Sequence, residues 1–114
     1  MTPKDQKRMA ANDYARESAL QKLCEQELSR RNIVYLHLSP RAREKQGWPD
    51  LVFALNGVPI ACELKSATGK LSSDQSKLFA RMAANGWRTH VVRSFDHFKN
   101  LLPDQAQDLD ATFG

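Results

Sequence analysis

The chain has 114 residues, 41% hydrophobic and 26% charged, which suits one domain with a modest core and excludes a disordered segment. No apolar run approaches the ~18–20 residues that span a bilayer. No apolar stretch follows the charged Met1–Arg8 either, so no membrane partner and no secretory signal are expected, and the expected location is cytoplasmic. The formal charge is +4; the last twelve residues hold Asp104, Asp108 and Asp110 with no Lys or Arg, and removing them raises it to +7. A basic body permits a polyanionic partner such as nucleic acid without demonstrating one.

In chain order, residues 1–11 are polar without a period and read as a flexible arm. A helix is expected from about Asp13 to Arg31, with Leu20, Leu23, Cys24 and Leu28 as its buried stripe, Asn12 or Asp13 as its N-cap and Asn32 as its stop. Ile33–Leu38, β-branched and aromatic, reads as a strand. Ser39–Pro49 carries two prolines, a glycine and Arg41, Arg43 and Lys45, and reads as an exposed loop. Leu51–Leu55 and Val58–Leu64 flank Asn56-Gly57, whose residue types tolerate the positive φ of a type I′ hairpin turn.

After a polar connection, Lys65–Lys70, Ser72-x-x-Gln75 matches a capping box. The helix it opens runs to about Asn85, buries Leu78, Phe79 and Met82, and stops at Gly86. Trp87–Arg93 is a further strand, and Ser94 caps a short helix carrying Phe95, Phe98 and Leu102. The order α-β-β-β-α-β-α predicts an α/β fold, a mixed central β-sheet flanked by helices, in a single domain over 12–102 with an acidic tail at 103–114. Cys24 and Cys62 lie far apart without C-x-x-C spacing and read as buried small hydrophobes.

The hairpin carries the chemistry. A two-residue loop makes every facing pair of residue numbers sum to 113, so Asp50 falls opposite Glu63 with Cβ atoms about 4.5–5.5 Å apart. Lys65, two residues beyond Glu63, projects from the same face. Two carboxylates facing each other repel, which is costly unless something compensates. A divalent cation would compensate, held by both carboxylates, a backbone carbonyl and waters. An ion pair of Lys65 with Glu63 or Asp50 is the plainer alternative.

Pro49-Asp50, twelve residues, then Glu63-Leu64-Lys65 resembles the signature of the PD-(D/E)xK nuclease superfamily. Gly47-Trp48-Pro49-Asp50-Leu51-Val52-Phe53, followed by Cys62-Glu63-Leu64-Lys65, resembles more narrowly the VRR-NUC family of replication and repair nucleases. The resemblance spans about Glu17 to Phe98. It implies a restriction-endonuclease-like core and a DNA endonuclease, in a bacterial or phage-infected cell, selective for branched DNA such as four-way junctions or flaps. It also implies a homodimer, as in phage-type stand-alone members. An acidic residue on the first helix belongs to the family pattern, and Glu17 fits it; a first-turn glutamate favouring the helix dipole is the alternative. A glutamine in the helix after E-x-K also belongs to it, and Gln75 fits, although its capping role explains it equally.

The resulting assignment gives catalytic roles to Glu17, Asp50, Glu63, Lys65 and Gln75. Mg2+, with Mn2+ substituting, would be held by Asp50, Glu63, the Leu64 backbone carbonyl and Glu17. Arg41, Arg43, Lys45, Lys70 and Lys77 are expected to contact DNA phosphates. The alternative function is a non-catalytic nucleic-acid-binding module whose Asp, Glu and Lys form a structural ion-pair patch.

Overall fold

The computed structural model describes residues 3–41 and 46–103, with side chains from residue 15 onward. Arg43, Lys45 and the acidic tail beyond Pro103 lie outside the described residues. The elements are helix α1 (Pro3–Arg30), strands β1 (Tyr35–His37), β2 (Leu51–Leu55) and β3 (Val58–Leu64), helix α2 (Ser73–Ala84), strand β4 (Arg88–Val92) and helix α3 (Phe95–Leu101). The four strands form one mixed sheet in the order β1-β2-β3-β4, antiparallel except for the parallel β3–β4 pair, which α2 connects.

Helix α1 begins ten residues before the expected start and takes in most of the segment read as an arm. Pro3 opens it, where a proline's fixed φ is an advantage. Lys4, Gln6, Lys7, Arg8, Met9, Ala10 and Ala11 are strong helix formers, so the backbone preference is helical although no apolar period marks it. The helix ends where Asn32, at φ 59°, takes the left-handed conformation: Ile33 N–H reaches Leu28 O at 2.8 Å and Asn32 N–H reaches Ser29 O at 3.0 Å, a Schellman motif. Gly86, at φ 95°, closes α2 in the same way, with Trp87 N–H on Met82 O and Gly86 N–H on Ala83 O.

Two apolar layers enclose the sheet. On one face α1 and α3 bury Leu20, Cys24, Leu28 and Phe98 against Leu51, Phe53, Ile60, Cys62, Leu64 and Val92. On the other, Phe79 and Met82 of α2 cover Ala61, with Val52, Val91, Trp48 and Trp87 around them. Leu23 departs from the expected stripe and is 42% exposed; at 100° per residue it lies well off the line through Leu20, Cys24 and Leu28, and Glu27 takes the buried place instead. The long loop also departs from expectation, because Trp48 at its end is half-buried and Pro49 is buried. Gly47 is at φ 74°, and a Cβ there would stand 2.6 Å from the Asp74 backbone, so only glycine lets the loop lie against the first turn of α2. No described helix is long and apolar enough to cross a membrane.

Candidate active site

The hairpin forms in the expected register. Asn56 and Gly57 take φ 51° and 82°, and the ladder runs from Leu55↔Val58 to Leu51↔Cys62. Continued by one step, that register sets Asp50 opposite Glu63, and both are buried, at 4% and 2% exposure. Continued by a second step, it sets Pro49 opposite Leu64. Every second pair of such a ladder exchanges two hydrogen bonds, and Pro49 has no N–H to give the Leu64 carbonyl. The Leu64 N–H, which points to the same edge, instead donates to Asp50 Oδ2 at 2.7 Å. Pro49 therefore ends the ladder where the Asp50 carboxylate turns toward β3.

Glu63 faces α2. Gln75 Nε2 donates to its Oε2, and Lys65 Nζ stands 3.9 Å from the same oxygen. Gln75 also completes the capping box: its Oε1 accepts the Ser72 N–H at 2.8 Å and its own N–H reaches Ser72 Oγ at 3.1 Å. One carboxamide thus serves the cap with Oε1 and bonds Glu63 with Nε2.

Glu17 arrives from the other layer. Its Oε1 accepts the Ser66 N–H at 3.1 Å, beyond the end of β3. A Cβ on Gly69 would stand 3.5 Å from Glu17 Oε1 and 3.5 Å from Lys65 Cδ, so the turn after β3 touches both side chains. The first-helix glutamate therefore meets the strand end that carries Glu63, Leu64 and Lys65, and the helix-dipole alternative falls because α1 begins at Pro3, well before Glu17.

The donor chemistry fits a hard divalent cation: two carboxylates at adjoining strand ends and a carbonyl aimed at the same edge. Among the described residues no three His, Cys, Asp or Glu side chains stand together as a ready ligand group. Burial pushes the Cys62 thiol up to about 12, with Cys24 and Asp50 adding to it, and burial, then Glu25, does the same to Cys24. Burial, then His97 and Arg88, holds His90 below the usual histidine range.

Of the expected phosphate contacts, Arg41, Lys70 and Lys77 are exposed. Lys77 lines a cleft of about 220 Å³ with Gln46, Asp74, Leu78 and Arg81. Arg81 was not among the expected residues; its i, i+4 spacing from Lys77 on α2 is the signal that finds it. Arg93 was also missed. Its Nη1 donates to Ser66 O at 2.7 Å and Gly69 O at 2.6 Å, and only the parallel β3–β4 register, absent from local pattern, brings it there.

Comparison with protein-family models and with curated proteins gave no match. Among solved structures the chain is similar to one described as a VRR_NUC domain, at 26% identity and a TM-score of 0.64, over 75% of this chain and 92% of that one. That likeness gives the chain a nuclease-type fold like that of the VRR_NUC domain, in line with the resemblance carried by Pro49-Asp50…Glu63-Leu64-Lys65.

Proposed function

We propose that the chain is a metal-dependent DNA endonuclease, hydrolysing phosphodiester bonds at the site formed by Asp50, Glu63 and Lys65. The observation that supports this most strongly is the burial of two carboxylates at adjoining strand ends, with a lysine and a glutamine turned onto one of them. Burying charge is costly, and evolution for stability alone would favour apolar residues there.

Asp50, Glu63 and the Leu64 carbonyl would hold the ion, and Glu17 would complete its shell through water. Bound Mg2+, or Mn2+ in its place, supplies charge stabilisation at the phosphoryl oxygens and lowers the pKa of the attacking water. Lys65 places a compact cation beside Glu63, where it orients the water and offsets charge on the scissile phosphate. Gln75 fixes the Glu63 carboxylate through Nε2 and so sets which oxygen faces the substrate. Lys70, Lys77, Arg81 and Arg41 hold backbone phosphates, joined by Arg43 and Lys45, which lie outside the described residues. Such contacts position DNA without reading sequence.

The finer parts of the proposal are selectivity for branched DNA in replication or repair and assembly as a homodimer, which would present two sites to two strands. Cleavage of labelled duplex, single-stranded, flap and four-way-junction DNA with Mg2+, Mn2+ or EDTA tests them, beside sedimentation of the protein alone. Junction or flap cutting well above duplex cutting is expected; equal cutting of all substrates would reject branched-DNA selectivity, and a monomer at cutting concentrations would reject the dimer.

One observation favours a second reading, a non-catalytic nucleic-acid-binding module. Glu63 already has protein partners in Lys65 and Gln75. That reading predicts DNA binding indifferent to metal and to Glu63→Gln.

A further inference from the structure

We infer that Arg93 is a positioning residue for this site, clamping the turn after β3 so that Glu17 and Lys65 keep their places; the inference rests on the nuclease reading above. β3 and β4 are parallel with Leu64↔Val92, and Lys65 N–H bonds to Val92 O at 3.0 Å, so Arg93 follows β4 where the turn leaves β3. There the chain bends away from the ladder and its carbonyls need other donors. Arg93 Nη1 donates to two of them, Ser66 O and Gly69 O.

The same turn, at Ser66 and Gly69, meets Glu17 and Lys65. Ser66 N–H donates to Glu17 Oε1, Ser66 Oγ accepts the Gly69 N–H at 3.1 Å, and a Cβ on Gly69 would come to 3.5 Å from both Glu17 and Lys65. Opening the turn would move the Ser66 amide that holds Glu17 and loosen the backbone that carries Lys65. Arg93 is exposed while Ser66 is buried, so its two bonds tie the surface to the buried end of the turn. Its value lies in fixing a turn on which two functional side chains depend. With Nη1 engaged by the protein, Arg93 is placed to act through this turn.

Full-length Arg93→Ala, compared with wild type, tests this in two arms. Amide exchange in metal-free protein reads the clamp directly, and single-turnover cleavage at saturating junction DNA with Mg2+ reads its consequence. Faster exchange at Ser66 and Gly69 with α2 unchanged is expected, together with a roughly 10–100-fold slower cleavage step and an unchanged Kd for DNA. Guanidinium ion at non-denaturing concentration should restore part of the rate to Arg93→Ala and none to Glu63→Gln. Unchanged exchange at Ser66 and Gly69 overturns the inference. So does cleavage within twofold of wild type, or a loss that appears in Kd and leaves the saturated rate intact. If wild type cuts nothing, the nuclease reading fails, and the exchange arm alone decides the clamp.

Discussion

Gln75 holds Glu63 and caps its own helix with a single carboxamide, Nε2 donating to Glu63 Oε2 while Oε1 accepts the Ser72 N–H at 2.8 Å. The two roles can be separated. Gln75→Glu keeps an acceptor for the capping box but sets a carboxylate against Glu63, whereas Gln75→Ala removes both bonds. Cleavage should fall about 10–100-fold in each, and only Gln75→Ala should also lose the cap's ~1 kcal/mol, read as a lower melting temperature. Full activity in Gln75→Glu would separate Gln75 from the chemistry.

Asp50 likewise combines a structural bond with a proposed chemical one. Asp50→Ala leaves the Leu64 N–H without its carboxylate, at a cost of about 1–3 kcal/mol. Asp50→Asn keeps an acceptor oxygen and removes the charge. Both variants should lose cleavage, and thermal melting should show a clear drop only for the alanine.

Gly47→Ala tests the packing of the loop on α2. The added Cβ would meet the Asp74 backbone at 2.6 Å with the residue held at positive φ, so a loss of about 2–4 kcal/mol in urea unfolding is expected. A change under about 0.5 kcal/mol, the size of an ordinary surface substitution, would show that the loop can leave α2 at little cost.

Much of this arrangement was legible because it is local. Asn56-Gly57 sets the register by turn geometry, and the register alone brings Asp50 to Glu63; Ser72-x-x-Gln75 is a cap readable within four residues. What was not legible depends on distant chain. Nothing near Glu17 predicts that the Ser66 N–H is its partner, nor does anything near Arg93 predict Ser66 O and Gly69 O. Gly47 has the sequence context of an ordinary loop glycine, and only the approach of α2 gives it a steric role. Residues 3–12 of α1 carry helix-forming types without an apolar stripe, and periodicity is blind to a helix of that kind.

Glu27 gives stability a pH dependence away from the site. Its hydrogen bond from Arg30, followed by the charges of Arg30 and Arg31, outweighs burial and holds its carboxyl below the usual range. A lowered folded pKa means stabilisation present above the unfolded value and lost as pH falls through the folded one. Glu27→Gln should therefore cost about 1–3 kcal/mol at pH 7, and the gap in urea midpoint should close as pH falls below about 4. A gap that stays constant through that acid range would refute the assignment.

The cleft beside α2 predicts a salt signature. Lys77→Ala with Arg81→Ala should reduce the slope of log affinity against log salt by about 2, roughly one for each phosphate that is no longer neutralised. Binding should weaken alike on every DNA sequence, while the saturated cleavage rate stays near wild type. An unchanged slope would remove the cleft from the DNA path.

The most direct measurement of the central claim is cleavage of one labelled four-way junction by wild type and Glu63→Gln, each with Mg2+ and with EDTA. Wild type should cut with Mg2+ alone and Glu63→Gln not at all, while the variant keeps its fold and its DNA binding. Wild-type protein that binds the junction without cutting it in Mg2+, or a Glu63→Gln variant that cuts as well as wild type, would contradict it.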